Sequence, residues 1–216
     1  MSDAASVGAP RRADLDALYR TFPSAFDKDI DHLDDHCRAF IARSPFLVLA
    51  TVGEGGACDA SPKGGPPGFV QVLDDHHLAW GDLSGNNRLD SFRNLGTHDG
   101  VGLLFLIPGL DETLRVNGRA VVTDEPAVLD ACVTEGRRAK TAVHVRVEQA
   151  FVHCAKAFRR SALWEPDRWP PLDGLPSAAC MLMDHAGVHD VPEQAAVDSL
   201  EENYRETMWV PGGDLA

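Results

Sequence analysis

The sequence predicts a mostly β domain with peripheral helices, in which six or seven antiparallel strands form a small closed or partly split barrel. Four short candidate strands follow one another between residues 46 and 81, separated by turns rich in Gly, Pro and Asp. Residues 101–107 are the most apolar run of the chain, which is typical of a central strand. Between residues 111 and 124, apolar side chains alternate with polar ones, so that one face of this strand belongs to the core.

Periodicity then assigns the remaining elements in chain order. The candidate strands cover residues 46–52, 57–63, 69–73, 77–81, 101–107, 111–124 and 143–154. Helical spacing of apolar residues predicts helices over 29–43, 126–137 and 192–208, and a short one after residue 86. We therefore expect an N-terminal tail over 1–28 with a helical turn near 14–20, a barrel domain over 29–165, and a helical extension over 166–216 that packs on the barrel or on a subunit contact.

Composition excludes several classes of function. The 216 residues include 33 acidic and 20 basic ones, a net charge of −13, which argues against binding nucleic acid or an anionic membrane. No apolar run approaches the roughly 20 residues that span a bilayer, and the first residues lack a signal-peptide pattern. The five cysteines form no Cys-x-x-Cys pair, which favours reduced thiols and a cytoplasmic location.

Two pairs of histidines have a spacing that can bind metal. His32 and His36 lie four residues apart on a predicted helix, and His185 and His189 repeat that spacing. The first pair is surrounded by aspartates and neither pair has a third ligand motif nearby. We interpret both pairs as solvated faces and predict no metal site.

One polar stretch suggests a phosphate site. Residues 84–94 read as a turn that opens a short helix, which Asn86 or Asn87 can cap. Arg88 and Ser91 share one face of that helix, and unpaired backbone N–H groups lie at its start. A guanidinium, a hydroxyl and free N–H donors together suit a phosphate dianion, and Lys63 can supply a second cation.

A simpler interpretation of this stretch stays open at this point. Turns rich in Gly and Asn are common, and a helix with a polar start can lie on an acidic surface without binding anything.

Several blocks in one order carry a resemblance to a known family. They are residues 44–51, 61–64, 85–91, 101–108, 112–118 and 151–157. This set resembles the pyridoxamine 5′-phosphate oxidase-like proteins of the FMN-binding split-barrel fold. More narrowly, it is similar to a bacterial branch of FMN-dependent enzymes whose substrate is undefined. The resemblance covers about residues 29–165.

The resemblance implies a homodimer with two FMN sites at the subunit interface and a small organic substrate. The implied cofactor-binding residues are Ser61, Lys63, Trp80, Gly81, Asn86, Asn87, Arg88, Ser91, Thr113, Arg115, Lys156 and Arg160. Asn86 and Asn87 align with basic residues of the family and Arg88 comes one place later, so this chain has one cation fewer. Arg115, or Lys156 and Arg160 of the partner, could stabilise negative charge on reduced flavin.

The C-terminal part departs from the genuine oxidases. They carry an Arg-x-His sequence for the substrate phosphate, whereas this chain has Phe158-Arg159-Arg160-Ser161 followed by an unrelated tail. We therefore expect a flavin oxidoreductase with another substrate. Two alternatives stay open: a non-catalytic flavin- or haem-binding protein, with His144 or His153 as axial ligand, and a reductase that uses the deazaflavin F420.

Overall fold

Among the residues that the structure describes, seven strands form a single antiparallel sheet, which is the body of the protein. The computed structural model describes residues 13–19, 27–83, 85 and 87–208. The strands are β1 (Phe46–Val52), β2 (Cys58–Gly64), β3 (Gln71–Val72), β4 (His77–Gly81), β5 (Gly100–Leu106), β6 (Thr113–Thr123) and β7 (Ala142–His153). Their order in the sheet is β2-β1-β5-β6-β7-β4-β3, which leaves β2 and β3 at the edges. The predicted mostly β, antiparallel fold is confirmed.

Seven helices lie around the sheet in the described residues. They are α1 (Leu15–Leu18), α2 (Asp35–Ile41), α3 (Asp90–Leu95), α4 (Pro126–Ala131), α5 (Lys156–Ser161), α6 (Ala178–Ala186) and α7 (Glu193–Thr207). Helix α3 packs against β1, β2 and β6, and α2 packs against β3 and β6. None of the described helices has both the length and the apolar character needed to cross a bilayer.

The core fills the inside of the curled sheet. Alternate residues of β1, β5, β6 and β7 turn inward, and Leu47, Phe105, Leu114 and Val145 among them are fully buried. Ile41 of α2 joins the same cluster from one end. A continuous apolar interior therefore holds the strands in register and fixes the positions of the polar residues at its rim.

The helix predicted over 29–43 is shorter than its apolar spacing indicated. Helix α2 begins at Asp35 because the Asp34 side chain accepts a hydrogen bond from the Cys37 backbone N–H at 2.8 Å. Ile30 instead pairs with Ala150 of β7 through two backbone hydrogen bonds. The first part of the predicted helix is thus not helical, and it joins the sheet through the bridge at Ile30.

Two other elements are also shorter than predicted, because turns interrupt them. The strand expected over 69–73 contracts to β3, since Gly68 has a φ of +82° and the Phe69 N–H donates to the Pro66 carbonyl. The helix expected over 126–137 ends at Ala131. Glu135 and Gly136 beyond it have φ values of +48° and +76°, which no right-handed helix accommodates.

The chain outside the barrel contains the expected helical elements. One turn of helix, α1, falls within the predicted 14–20 segment, while residues 1–12 and 20–26 lie outside the described residues. The helix predicted over 192–208 is present as α7, and it packs against α6.

The β6–β7 ladder has no room for a side chain at Gly118. The register between these strands shifts at Asn117 and Gly118, and a Cβ on Gly118 would collide with the Arg146 carbonyl. We expect Gly118→Ala to lower the free energy of unfolding by roughly 1–3 kcal/mol, as overpacking does. Urea denaturation measures this change.

Gly100→Ala is the matched control for this prediction. Gly100 also lies in a strand, but a Cβ there meets no atom within 4 Å. We expect its free energy of unfolding to change by no more than about 0.5 kcal/mol. Equal effects of the two substitutions would contradict the packing at Gly118.

Candidate functional site

A cavity of about 430 Å³ opens between β2, the end of β4 and the start of α3. Strand β2 is one edge of the sheet and β4 is second from the other edge, so the curled sheet brings its two ends together across this space. Its lining includes the charged and hydroxyl-bearing side chains of Asp59, Ser61, Lys63, Asp82, Arg88 and Asp90.

The alternation of β2 explains why polar groups line this cavity. Asp59, Ser61 and Lys63 lie opposite Thr51, Leu49 and Leu47 of β1, whose side chains are buried inside the barrel. Directly opposite residues of paired strands share a face, so these three side chains point to the interior side at its open rim. An edge strand with polar residues facing inward thus forms one wall of the cavity.

The loop before α3 forms the opposite wall and departs from the prediction. Asn87 and Leu89 have φ values of +53° and +61°, and α3 begins only at Asp90. Leu89 therefore occupies the cap position, and no side chain caps the helix. The predicted cap at Asn87 is wrong because α3 begins only at Asp90 and Leu89 holds the cap position, and Asn86 lies outside the described residues.

An arginine and a hydroxyl of the cavity wall lie beside carboxylates. The Arg88 Nε donates to Asp90 Oδ2 at 2.7 Å. The Ser91 hydroxyl donates to Asp59 Oδ2 at 3.1 Å, so its proton faces Asp59 in this arrangement. The Arg88 charge offsets that of Asp90, and the Ser91 hydroxyl stabilises the Asp59 carboxylate by a hydrogen bond.

Asp82 adds a third carboxyl group to the cavity wall. Its backbone N–H donates to the Thr141 carbonyl at 2.8 Å, which fixes it at the end of β4. Among the described residues its carboxyl group has no hydrogen-bond or ion-pair partner, and burial raises its pKa while the Lys63 charge opposes that rise. Asp82 is therefore a carboxyl group whose proton is held more tightly than usual.

Some of the predicted cofactor-binding residues line the cavity, and others do not. The predicted residues that line it are Ser61, Lys63, Trp80, Gly81, Asn87, Arg88 and Ser91. Thr113 is buried on β6, Arg115 is half-buried on the same strand, and Lys156 and Arg160 are exposed on α5; these four do not line the cavity. One chain alone does not bring the two sets together.

Sequence reasoning missed the acidic part of the cavity. Asp59 could have been found, because it lies two residues before Ser61 in a predicted strand and so shares its face. Asp82 and Asp90 carried no such signal, since their placement depends on the loop that joins β4 to α3.

The histidines considered earlier lie elsewhere. The His144 ring stacks on His77 with 5.2 Å between centroids. His32 contacts Asp31 at 3.0 Å, and His189 lies 3.9 Å from Asp184. In the portion of the chain that the structure describes, no group of three or more His, Cys, Asp or Glu side chains could hold a metal ion.

Comparison with known proteins shows the family. Residues 33–154 match the sequence profile of the pyridoxamine 5′-phosphate oxidase family. This match covers more than half of the 216 residues, and the chain therefore belongs to that family. A search of curated protein sequences gives no match.

Solved structures give more distant similarities. HupZ of group A Streptococcus is 17% identical, with 55% of this chain and 92% of that one covered and a TM-score of 0.46. A candidate pyridoxamine 5′-phosphate oxidase of Lactobacillus delbrueckii is 21% identical (56% and 99% covered, TM-score 0.42). A Clostridium acetobutylicum protein related to general stress protein 26 is 14% identical (55% and 85% covered, TM-score 0.41).

The Asp82 carboxyl group predicts a pH-dependent stability. Its folded-state pKa is raised above the ordinary value of 3.8, so its contribution to stability is present at low pH and is lost as pH rises through the folded-state pKa. We expect Asp82→Asn to increase the free energy of unfolding at pH 7 and to have little effect near pH 3. Urea denaturation across this range measures the difference.

Asp173→Asn serves as the control, because Asp173 is exposed in the C-terminal extension. It should leave the free energy of unfolding unchanged at both pH values. If Asp82→Asn behaved in the same way, the carboxyl group would be solvated and would not be part of the cavity wall.

Proposed function

We propose that this protein is an FMN-dependent oxidoreductase that transfers hydride or electrons between flavin and a small organic substrate other than pyridoxamine phosphate. The observation that carries the proposal is the cavity that brings Lys63 and Arg88 together across the open rim of the barrel. A two-cation site at the mouth of a cavity of this size suits a cofactor with a phosphate ester at one end.

The charges of the cavity fit a phosphate dianion only in part. Lys63 and Arg88 attract it, whereas three carboxyl groups face the same space. Asp90 is compensated by Arg88, and Asp59 accepts a hydrogen bond from Ser91, whereas burial makes a charge on Asp82 costly and raises its pKa. The remaining positive charge would come from a second copy of the chain.

The outer face of the sheet supports a second copy. Val48 of β1 lies opposite Pro62 and Leu104, and Ala50 lies opposite Ala60 and Gly102. These residues share the face that points away from the core, and they are exposed or half-buried. An apolar sheet face of this kind is typical of a subunit interface, which suggests a homodimer.

Arg115 lies next to this apolar face. It sits opposite Leu104 in the sheet, on the same side as Val48 and Thr113. We propose that a partner covering this face places its own cavity beside Arg115. Such a site built from two chains would unite the two sets of residues that one chain keeps apart, with Lys156 and Arg160 as further cations.

The chemistry follows from this placement. Bound flavin supplies the ability to accept and return a hydride, and the protein supplies binding, orientation and charge. Lys63 and Arg88 would hold the phosphate, the side chains of β2 would follow the ribityl chain, and the Arg115 guanidinium would stabilise negative charge on the reduced ring. The residues C-terminal to Arg160 lack the Arg-x-His sequence of the oxidases, so the substrate differs.

Absorbance of the purified full chain tests the cofactor class. The two-band visible spectrum of flavin, bleached by dithionite and restored by air, would support the proposal. A Soret band would replace it with a haem protein, and binding of F420 in preference to FMN would replace it with a deazaflavin reductase. The acidic cavity wall disfavours F420, whose tail carries more negative charge.

The phosphate assignment predicts the effect of two substitutions. Removing a charge-assisted hydrogen bond to a phosphate costs about 1.5–3 kcal/mol, so we expect Arg88→Ala and Lys63→Ala each to weaken FMN binding by roughly 10- to 100-fold. Quenching of flavin fluorescence on titration measures the dissociation constant.

Arg93→Ala is the matched control for these variants. Arg93 lies on α3, near the same Asp90 carboxylate as Arg88, at 3.8 Å, but it does not line the cavity. Its FMN affinity should remain within about twofold of the unsubstituted protein, a difference of less than 0.5 kcal/mol. If Arg88→Ala bound FMN as well as Arg93→Ala does, the phosphate would have to lie elsewhere.

A subunit interface on the outer sheet face predicts that a charge placed on this face separates the subunits. Ala50 is exposed on the apolar face, so Ala50→Glu should leave the fold intact and place a carboxylate in the interface. We expect sedimentation velocity to show monomers, together with weaker FMN binding. Leu73→Glu, at an exposed site beside the far edge strand β3, should stay dimeric. A dimeric Ala50→Glu protein would exclude this face as the interface.

A further inference from the structure

A cluster of basic groups lies on the outer face of β6 and β7, away from the cavity. Arg115 is paired with Phe151, and Thr113 with His153, across the two strands. The Arg115 guanidinium lies 5.4 Å from the centroid of the Phe151 ring, and Lys28 Nζ lies 5.2 Å from the same centroid. The His153 ring is 6.1 Å from it. Two cations and an imidazole thus surround one aromatic ring.

No carboxylate pairs directly with these groups in the described part of the chain, and Asp29, next to Lys28, accepts a hydrogen bond from Gln149 of β7 instead. Arg115 is half-buried and makes neither an ion pair nor a hydrogen bond with another described residue. Lys28 donates only to the Val152 carbonyl, at 2.9 Å. The Nδ1 atom of His153 is buried and has no hydrogen-bond partner there. A buried ring nitrogen without a partner, beside two cations, is costly, and a bound anion would offset that cost.

The electrostatics of His153 agree with this description. Its pKa is lowered by burial first, and then by the charges of Arg115 on β6 and of Lys28, which lies just before the Ile30 bridge to β7. His144 on the same strand offers a contrast. Its neighbour His77 is hydrogen-bonded to the Asp74 carboxylate at 2.9 Å, so that pair has a counter-charge within the chain.

We propose that Lys28, Arg115 and His153 form a binding site for the oxyanion, carboxylate or phosphate, of a small anionic substrate. This assignment deepens the proposed function, because it places the substrate where Arg115 would meet a flavin held by the partner. Lys28 and Arg115 attract the oxyanion, the fork of the guanidinium can donate two parallel hydrogen bonds to it, and His153 donates its ring N–H. In an otherwise acidic chain, a positively charged site of this kind also favours anions over cations.

The test uses inorganic phosphate as the probe and the full chain as the protein. NMR of side-chain-labelled histidines follows the pKa of each ring in sodium phosphate and in sodium chloride of equal ionic strength. An opposite charge within about 6 Å raises the pKa of a histidine, so we expect that of His153 to rise by about one unit in phosphate. That of His144 should not change, which makes it an internal control.

Three variants separate binding from structure. Lys28 is exposed, so Lys28→Gln should keep the fold and reduce the phosphate-induced shift of His153. Arg115→Gln should abolish that shift, and Arg115→Lys should restore part of it. A shift of His153 that persists in Arg115→Gln, or an equal shift of His144, would overturn the site, as would no shift in the unsubstituted protein.

The shift of the His153 pKa in phosphate can be interpreted separately from FMN binding in the cavity. The FMN titration of Arg88→Ala reports on the cavity, whereas the His153 shift reports on the outer face. If FMN binding failed to depend on Arg88 while His153 still responded to phosphate, the proposed cofactor site would be wrong and the anion site would stand. The reverse result would leave the flavin site and remove the anion site.

Discussion

The architecture depends on one edge strand whose two faces have different surroundings. On β2, Asp59, Ser61 and Lys63 turn toward the interior side, where the barrel opens, and Ala60 and Pro62 turn outward. Because side chains alternate strictly along a strand, a shift of one residue in the β1–β2 register would exchange the two sets. The hairpin between β1 and β2 and the buried Leu47 and Leu49 therefore determine both the wall of the cavity and the apolar surface behind it.

Charge is the second constraint, because acidic residues outnumber basic ones in this chain. Many of its arginines are tied to a carboxylate: Arg119 to Asp99, Arg138 to Asp130 and Arg159 to Asp111. Lys63 and Arg115 lie apart from such pairs and contact aromatic rings instead. Among the described residues, Lys63 in the cavity and Arg115 on the outer face thus mark two places where a basic group has no ion-pair partner. In the proposed dimer, these two places would serve the two ends of one flavin site.

Much of this fold could be predicted from the sequence, because strand patterns are local. The predicted strand over 46–52 coincides with β1, and β7 differs from its prediction by one residue at each end. The helix over 29–43 was too long because apolar spacing does not show that Asp34 caps a helix while Ile30 joins the sheet. At the site, Lys63 and Arg88 could be named, but the left-handed Leu89 and the hydrogen bond from Ser91 to Asp59 could not. The cluster of Lys28 with Phe151 depends on residues more than a hundred positions apart, which no local pattern brings together.

A crystal structure of the full chain grown with FMN tests the central claim most directly. The account predicts that the phosphate oxygens lie within hydrogen-bonding distance of Lys63 Nζ and the Arg88 guanidinium, with the flavin ring between two subunits. A phosphate bound at another place, with both side chains turned to solvent, would contradict it.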